Sequence, residues 1–205
     1  MNTLIKKMAS IALLSAAVLT FTACEDEVVV VPQPVVEIKI IKNLQADAAA
    51  VRTNKFTLFS LASGQTVANA DSATNKWDIG FRGTNIIING GAIRTGKGAA
   101  QIINGIFDEL ATAPDANYKT DESATALAIA GGSGNGWYNY DGPSNLITPL
   151  AGKIIVLRTA DEKFAKLEIL SYYENAPVAP NGMTDKSRYF TFRYSYQADG
   201  SKKLK

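Results

Sequence analysis

The feature that most constrains this chain is "RYFTFRYSYQ", residues 188–197. Phe190, Phe192, Tyr194 and Tyr196 fall on one side; Tyr189, Thr191, Arg193 and Ser195 fall on the other. Strict alternation over ten residues is the signature of a β-strand, and no helix can place four aromatics at that spacing on one face. The aromatic stripe is expected to be core rather than a ligand platform. Upstream, "KIIVLRT" (153–159) and "KFAKLEILSYY" (163–173) flank "ADE" as a hairpin, with Ala165, Leu167 and Ile169 sharing a face. "VEIKIIKNL", "KFTLFSL" (55–61), "KWDIGFR" (76–82) and "TNIIIN" (84–89) are further strands. In the third of these, alternation predicts Trp77, Ile79 and Phe81 together, opposite Asp78, Gly80 and Arg82. Helix is scarce: "NGIFDELA" (104–111) and "DESATALAIA" (121–130) are the short candidates. "GGSGNG" (131–136) is a flexible loop of low complexity. The expected fold is all-β, mainly antiparallel sheets, with a minor helical insertion.

The first 23 residues stand outside that pattern. Lys6 and Lys7 precede the apolar run "MASIALLSAAVLTFTA", which ends in small residues at Cys24, the one cysteine. This is a secretory signal rather than a spanning helix. "FTAC" resembles a bacterial lipobox, with Phe21 where Leu is commoner, and implies cleavage before Cys24 and its acylation. Several acyl chains give a stable anchor, at about 0.8 kcal/mol per buried methylene. "EDE" (25–27) resembles the acidic signal that sends Bacteroidetes lipoproteins to the outer face of the outer membrane, and is also an ordinary solvated tether. The organisation expected is a signal peptide over 1–23, a lipidated tether over 24–35 and one domain over 36–205.

Composition then narrows the function. Lys plus Arg is 21 and Asp plus Glu 19; without Lys6 and Lys7 the mature chain has 19 of each. That balance argues against a nucleic-acid partner. No thiol remains for an intrachain disulfide, so burial alone must hold the fold. The chain has no histidine, which excludes Ser-His catalysis, ordinary zinc catalysis and imidazole-ligated haem.

An enzyme would have to run on lysine or on carboxylates such as Asp78, Asp108, Glu109, Asp121 and Glu122. Asp108-Glu109 and Asp121-Glu122 read as polar surface. Ser133 fails the nucleophile-elbow pattern because position 135 is Asn. An enzyme is therefore not expected. "GGAIRTGKGAA" (90–100) contains G-x-x-x-x-G-K from Gly91 to Lys97, but Gly98 stands where a phosphate loop needs Ser or Thr, and a strand rather than a helix follows. No nucleotide or metal cofactor is expected. The glycines are read as turn residues adopting positive φ.

Three stretches together resemble the HmuY family of Bacteroidetes haem-binding lipoproteins. They are "KWDIGFRGTNIIINGGAIRTGKGAA", "GWYNYDGPSNLITPLAGKIIVLRTADEKFAKLEILSYY" and "RYFTFRYSYQADG". The resemblance implies a hand-like antiparallel β fold with a ligand cleft. It also implies a surface lipoprotein that takes haem from host haemoproteins and passes it to an outer-membrane receptor. The family's iron ligands are paired histidines or methionines, from the segment before W-Y-N-Y and from that stretch's continuation toward "LITP". Here the pattern breaks, because Asn145 stands where the resemblance implies a histidine. Haem iron also accepts Met and Tyr, so the haem-binding candidates are Tyr118, Tyr138, Tyr140 and Met183, with Trp137 lining the cleft and Asn145 beside it. Arg94 and Lys97 are candidates for the propionates. Each has an ordinary alternative: half-buried strand aromatics, a loop anchor, a gap-filling methionine, solvated loop charges. The competing expectation is a surface lipoprotein of the same fold that binds a non-haem ligand or a partner protein.

Overall fold

The computed structural model describes residues 36–205; the expected signal peptide, Cys24 and the tether over 24–35 lie outside the described residues. Among the described residues, eleven strands make three antiparallel sheets. The largest has the order β1-β11-β10-β9-β6, with β1 Ile38–Gln45, β6 Ala99–Asn104, β9 Lys153–Arg158, β10 Phe164–Tyr173 and β11 Ser187–Gln197. The second has the order β3-β2-β4-β5, with β2 Thr57–Ser60, β3 Gln65–Val67, β4 Ile79–Arg82 and β5 Asn85–Ile88. A separate hairpin pairs β7 Tyr138–Asp141 with β8 Leu146–Pro149.

The aromatic stripe of β11 is core, as its alternation requires. Phe190, Phe192 and Tyr194 are buried beside Ala165, Leu167 and Ile169 of β10. Facing them from the second sheet are Phe59, Ile79, Phe81, Ile86 and Ile88. The Phe59 and Phe192 rings meet edge-on at 5.5 Å, and Phe81 lies 4.9 Å from Phe190. Such ring pairs add about 0.5–1.5 kcal/mol each beyond the area they bury.

β9 reads as a continuous apolar run because both its faces are covered. Ile155 and Leu157 enter the main core, while Ile154 and Val156 join Phe107, Ala113 and Leu204 in a second one. The second core is roofed by the 105–113 segment and the chain's end, which hydrogen-bond through Ala113 N to Lys202 O and Leu204 N to Ala111 O, both 2.8 Å. Lys166 on β10 is buried under this roof at 1 % exposure. Its Nζ donates to the carbonyls of Phe107 (2.7 Å) and Leu110 (2.8 Å), and burial pushes its pKa down.

Four expectations need correction. Neither helical candidate is a helix: 104–111 ends β6 and makes one turn, with Leu110 N bonded to Ile106 O at 3.2 Å, and 121–130 is bent, irregular chain. The helical content among the described residues is two single-turn 3-10 elements, Ala49–Val51 and Asn69–Asp71. Trp77 does not share a face with Ile79 and Phe81. It precedes β4, and packs with Leu58 and Ile87 on the outer face of the second sheet. Asp121 is no surface residue: it is fully buried, like Asp78. Finally, the 131–136 loop is tied down, through Gly134 N to Tyr138 O (2.9 Å) and Tyr140 N to Ser133 Oγ (2.8 Å).

The described residues fall in one compact unit that carries all three cores, which is what a domain needs to fold alone. Among them no helix is long and apolar enough to cross a membrane.

Candidate functional site

The Gly-rich loop closes on itself between β5 and β6. Gly90 and Lys97 form an antiparallel bridge. The buried Asn89 side chain is its hub, donating to Thr74 O (2.9 Å) and Trp77 O (2.8 Å) and accepting from Gly96 N (3.0 Å). Positive φ explains only Gly91, at 99°. The other glycines are there for close approach: a Cβ on Gly90 would sit 1.7 Å from Gly98 O, and one on Gly96 2.4 Å from Asn89 O.

Asp121 locks this loop to the next segment. Its carboxylate accepts from Ile88 N (3.1 Å) and Ala128 N (2.9 Å), with Arg94 Nη2 at 3.9 Å. Burial pushes the Asp121 carboxyl up, against the pull of those amides and of Arg94. Arg94 lines a groove of about 430 Å³ on the outer face of the second sheet, over Phe56, Leu58, Trp77 and Ile87. Lys97 instead pairs with Glu162 in the β9–β10 turn at 2.9 Å, an exposed ion pair that contributes little.

Three other candidates are brought together. Tyr140 lies in the exposed part of β7, and its hydroxyl donates to Asn145 Oδ1 at 2.7 Å. The Asn145 amide donates in turn to Met183 Sδ at 3.1 Å. Asn145 sits in the β7–β8 turn at φ 50°, which asparagine tolerates better than most residues. Met183 arrives from the loop between β10 and β11. That loop is pinned at its start by the reciprocal Asn43–Asn175 amide pair, 2.9 and 2.6 Å. At its tip Asn181 N donates to Asp185 Oδ2 (2.8 Å) and Met183 N to Asn181 Oδ1 (2.9 Å). Gly182 lies flat on the hairpin turn; a Cβ there would be 2.5 Å from backbone atoms of Ser144 and Asn145. Tyr140 is 46 % and Met183 63 % exposed, and Val178 on the same loop is fully exposed.

The remaining candidates lie elsewhere. Trp137 is buried in the main core, donates Nε1 to Thr84 O at 2.9 Å and packs 4.9 Å from Tyr138 and 5.1 Å from Phe190. Tyr138 is buried beside it. Tyr118 belongs to the second core, 6.3 Å from Phe164, with its hydroxyl enclosed. Burial pushes that phenol up, the wrong direction for a tyrosinate ligand.

The Tyr140–Asn145–Met183 chain thus presents a phenol and a thioether, two donor types that haem iron accepts. Among the described residues no cluster of three His, Cys, Asp or Glu side chains is placed to hold a metal ion. Sequence reasoning named all three members but did not join them. The signal for that was Gly182, adjacent to Met183 and flanked by Asn181.

The family model for "HmuY protein" matches residues 52–194. No curated protein matches the chain. Among solved structures, the apo HmuY analog of Tannerella forsythia is similar at 14% identity and a TM-score of 0.51, over 80% of this chain and 96% of that one. Apo PinO of Porphyromonas gingivitis is similar at 13% identity and a TM-score of 0.50, over 80% and 98%. These likenesses concern the fold.

Proposed function

The chain belongs to the HmuY family, and from that premise we propose that it is a surface lipoprotein binding haem or a porphyrin for haem or iron acquisition, without histidine ligation. The observation that carries this reading is the exposed Tyr140–Asn145–Met183 chain. Tyr140 and Asn145 lie on the W-Y-N-Y stretch and its continuation, the region from which the resemblance implies the ligands come, and Met183 joins them from the β10–β11 loop, so that donors stand where histidine is missing. Tyr140 or Met183 would hold the iron; bound haem would supply the metal centre that the chain itself does not build. Asn145, at the position where a histidine is implied, orients both donors rather than ligating. The proposed role is binding and transfer, not catalysis, with an outer-membrane receptor as the onward partner. Residues 1–23 serve as the signal peptide, Cys24 as the lipid attachment that anchors the protein to the outer membrane, 24–35 as the tether and 36–205 as the binding domain.

The test is haem titration of the chain from Pro34 to Lys205, in ferric and ferrous states. A Soret shift is expected, weakened by Tyr140→Phe in the ferric state or by Met183→Ala in the ferrous state, because tyrosinate favours ferric iron and thioether tolerates ferrous. A flat spectrum at micromolar haem overturns the reading.

A second reading has its own observation. The groove beside Arg94 has an aromatic and aliphatic floor and lies apart from the three-residue chain. With Lys55, Asn69, Ser72 and Arg94 around that floor, it favours a non-haem ligand with a hydrophobic part for the same fold, since a concave site of apolar floor and a few polar groups binds without a metal. A flat haem titration leaves this reading standing.

A further inference from the structure

A polar cavity of about 440 Å³ opens where the segment after β1, the β4–β5 turn and the start of β11 meet. Three arginines line it, Arg52, Arg82 and Arg188, against a single acid, Asp47. That acid does not neutralise them. Asp47 Oδ1 accepts from Thr53 N (2.5 Å) and Asn54 N (3.0 Å). Its other oxygen is 3.9 Å from Arg188 Nη1, too far for a hydrogen bond. The Thr53 amide first, and then Asn54 and Arg188, hold its carboxyl below the usual range despite burial.

The guanidinium donors are mostly unspent. Each carries five N–H groups. Arg82 gives one to Asn54 O (3.1 Å) and stacks 4.4 Å over Phe56. Arg188 gives one to Asp47 O (3.0 Å) and lies close to the Tyr172 hydroxyl. Arg52 is exposed and makes no side-chain hydrogen bond or ion pair among the described residues.

The wall is also where left-handed backbone concentrates. Asp47 (φ 59°), Asn54 (60°), Gly83 (56°) and Arg188 (69°) all line the cavity. Glycine, asparagine and aspartate adopt that region readily; arginine does not, so Arg188 holds its guanidinium at the wall in an unfavourable conformation.

We propose that this cavity is an oxyanion site, taking a carboxylate or phosphate group between Arg52, Arg82 and Arg188. Planar guanidinium forks match the oxygens of either group. The site shares no residue with the Tyr140–Asn145–Met183 chain and does not rest on the haem reading; the Trp137 bond to Thr84 O ties the residue just before β7 to its wall.

Calorimetry on the Pro34–Lys205 chain tests it, with inorganic phosphate and with succinate, each at an ionic strength fixed by sodium chloride. Saturable binding of at least one anion is expected at millimolar concentrations, and the tighter of the two identifies the source as phosphate-bearing or carboxylic. Arg52→Ala is expected to weaken it about tenfold, as the loss of one charge-assisted bond would, while leaving the melting temperature unchanged. No saturable heat from either anion overturns the proposal, and so does binding that Arg52→Ala leaves untouched.

Discussion

Gly182→Ala isolates the positioning of Met183 from its chemistry. The new Cβ would fall 2.5 Å from Asn145 C and O and from Ser144 O, all backbone atoms of the hairpin turn. Ordinary carbon contacts begin near 3.5 Å, so the 181–185 loop must retreat by about 1 Å. Gly182 is not among the residues with positive φ, so the effect is steric and not conformational. A retreat of that size stretches the Asn145 Nδ2–Met183 Sδ contact from 3.1 Å to about 4 Å, where little of the bond survives. The contacts within the loop, such as Met183 N to Asn181 Oδ1, move with it and persist. Because Met183 is exposed, stability should fall by only about 1 kcal/mol, a few degrees of melting temperature. Two readouts follow the perturbation: the Asn145 side-chain amide resonances, which should shift, and ferrous haem affinity, which should fall toward that of Met183→Ala. Unmoved Asn145 resonances together with parental haem affinity would refute the argument that Gly182 sets the Met183 donor.

Two further outcomes concern the scaffold. Lys166→Met keeps most of the side-chain volume but orphans the Phe107 and Leu110 carbonyls; offset by relief from burying an ammonium, the loss should be about 2–4 kcal/mol in urea unfolding, and a loss near zero counts against the buried-lysine cap. Asp78 accepts from Leu61 N (2.8 Å) and Ala160 N (3.1 Å), yet burial dominates and raises its pKa above 3.8. The folded chain therefore keeps a proton that the unfolded chain has lost. This contribution to stability is fully present below the unfolded value and falls as pH rises through the folded one. Asp121 acts with the same sign, so Asp78→Asn should flatten part of the acid-side slope of stability, and an unchanged slope would show that the two amides balance burial rather than yield to it.

Much of the fold was legible because its strands carry simple patterns. β11 and β10 alternate, and β9 is apolar throughout because cores lie on both its sides. Legibility failed where side chains act against their type. Asp121 looks like a surface charge in sequence, and Asp78 like one residue of a strand face, but each serves two backbone amides that a buried loop crossing would otherwise leave unpaired. The supposed helix at 121–130 fails for the same reason: its first residue is held inward by Ile88 and Ala128. Trp77 breaks its expected alternation because Asp78, not Trp77, is drawn toward Leu61 and Ala160 just before β4 begins. For the candidate site, residue types were readable but convergence was not, since Met183 is 38 residues from Asn145 and nothing local fixes that meeting.

The placement of β1 has a consequence for how this chain comes to exist at all. Its one neighbour in the sheet is β11, with Ile38 opposite Ser195 and Gln45 opposite Tyr189. The first of the described strands to leave a ribosome therefore waits for the last. The second sheet, formed within residues 57–88, can pair early, but the largest one closes only after nearly the whole chain is present. Closing so long a loop is slow. That delay would suit the exported lipoprotein proposed above, which has to stay threadable until it has crossed a membrane.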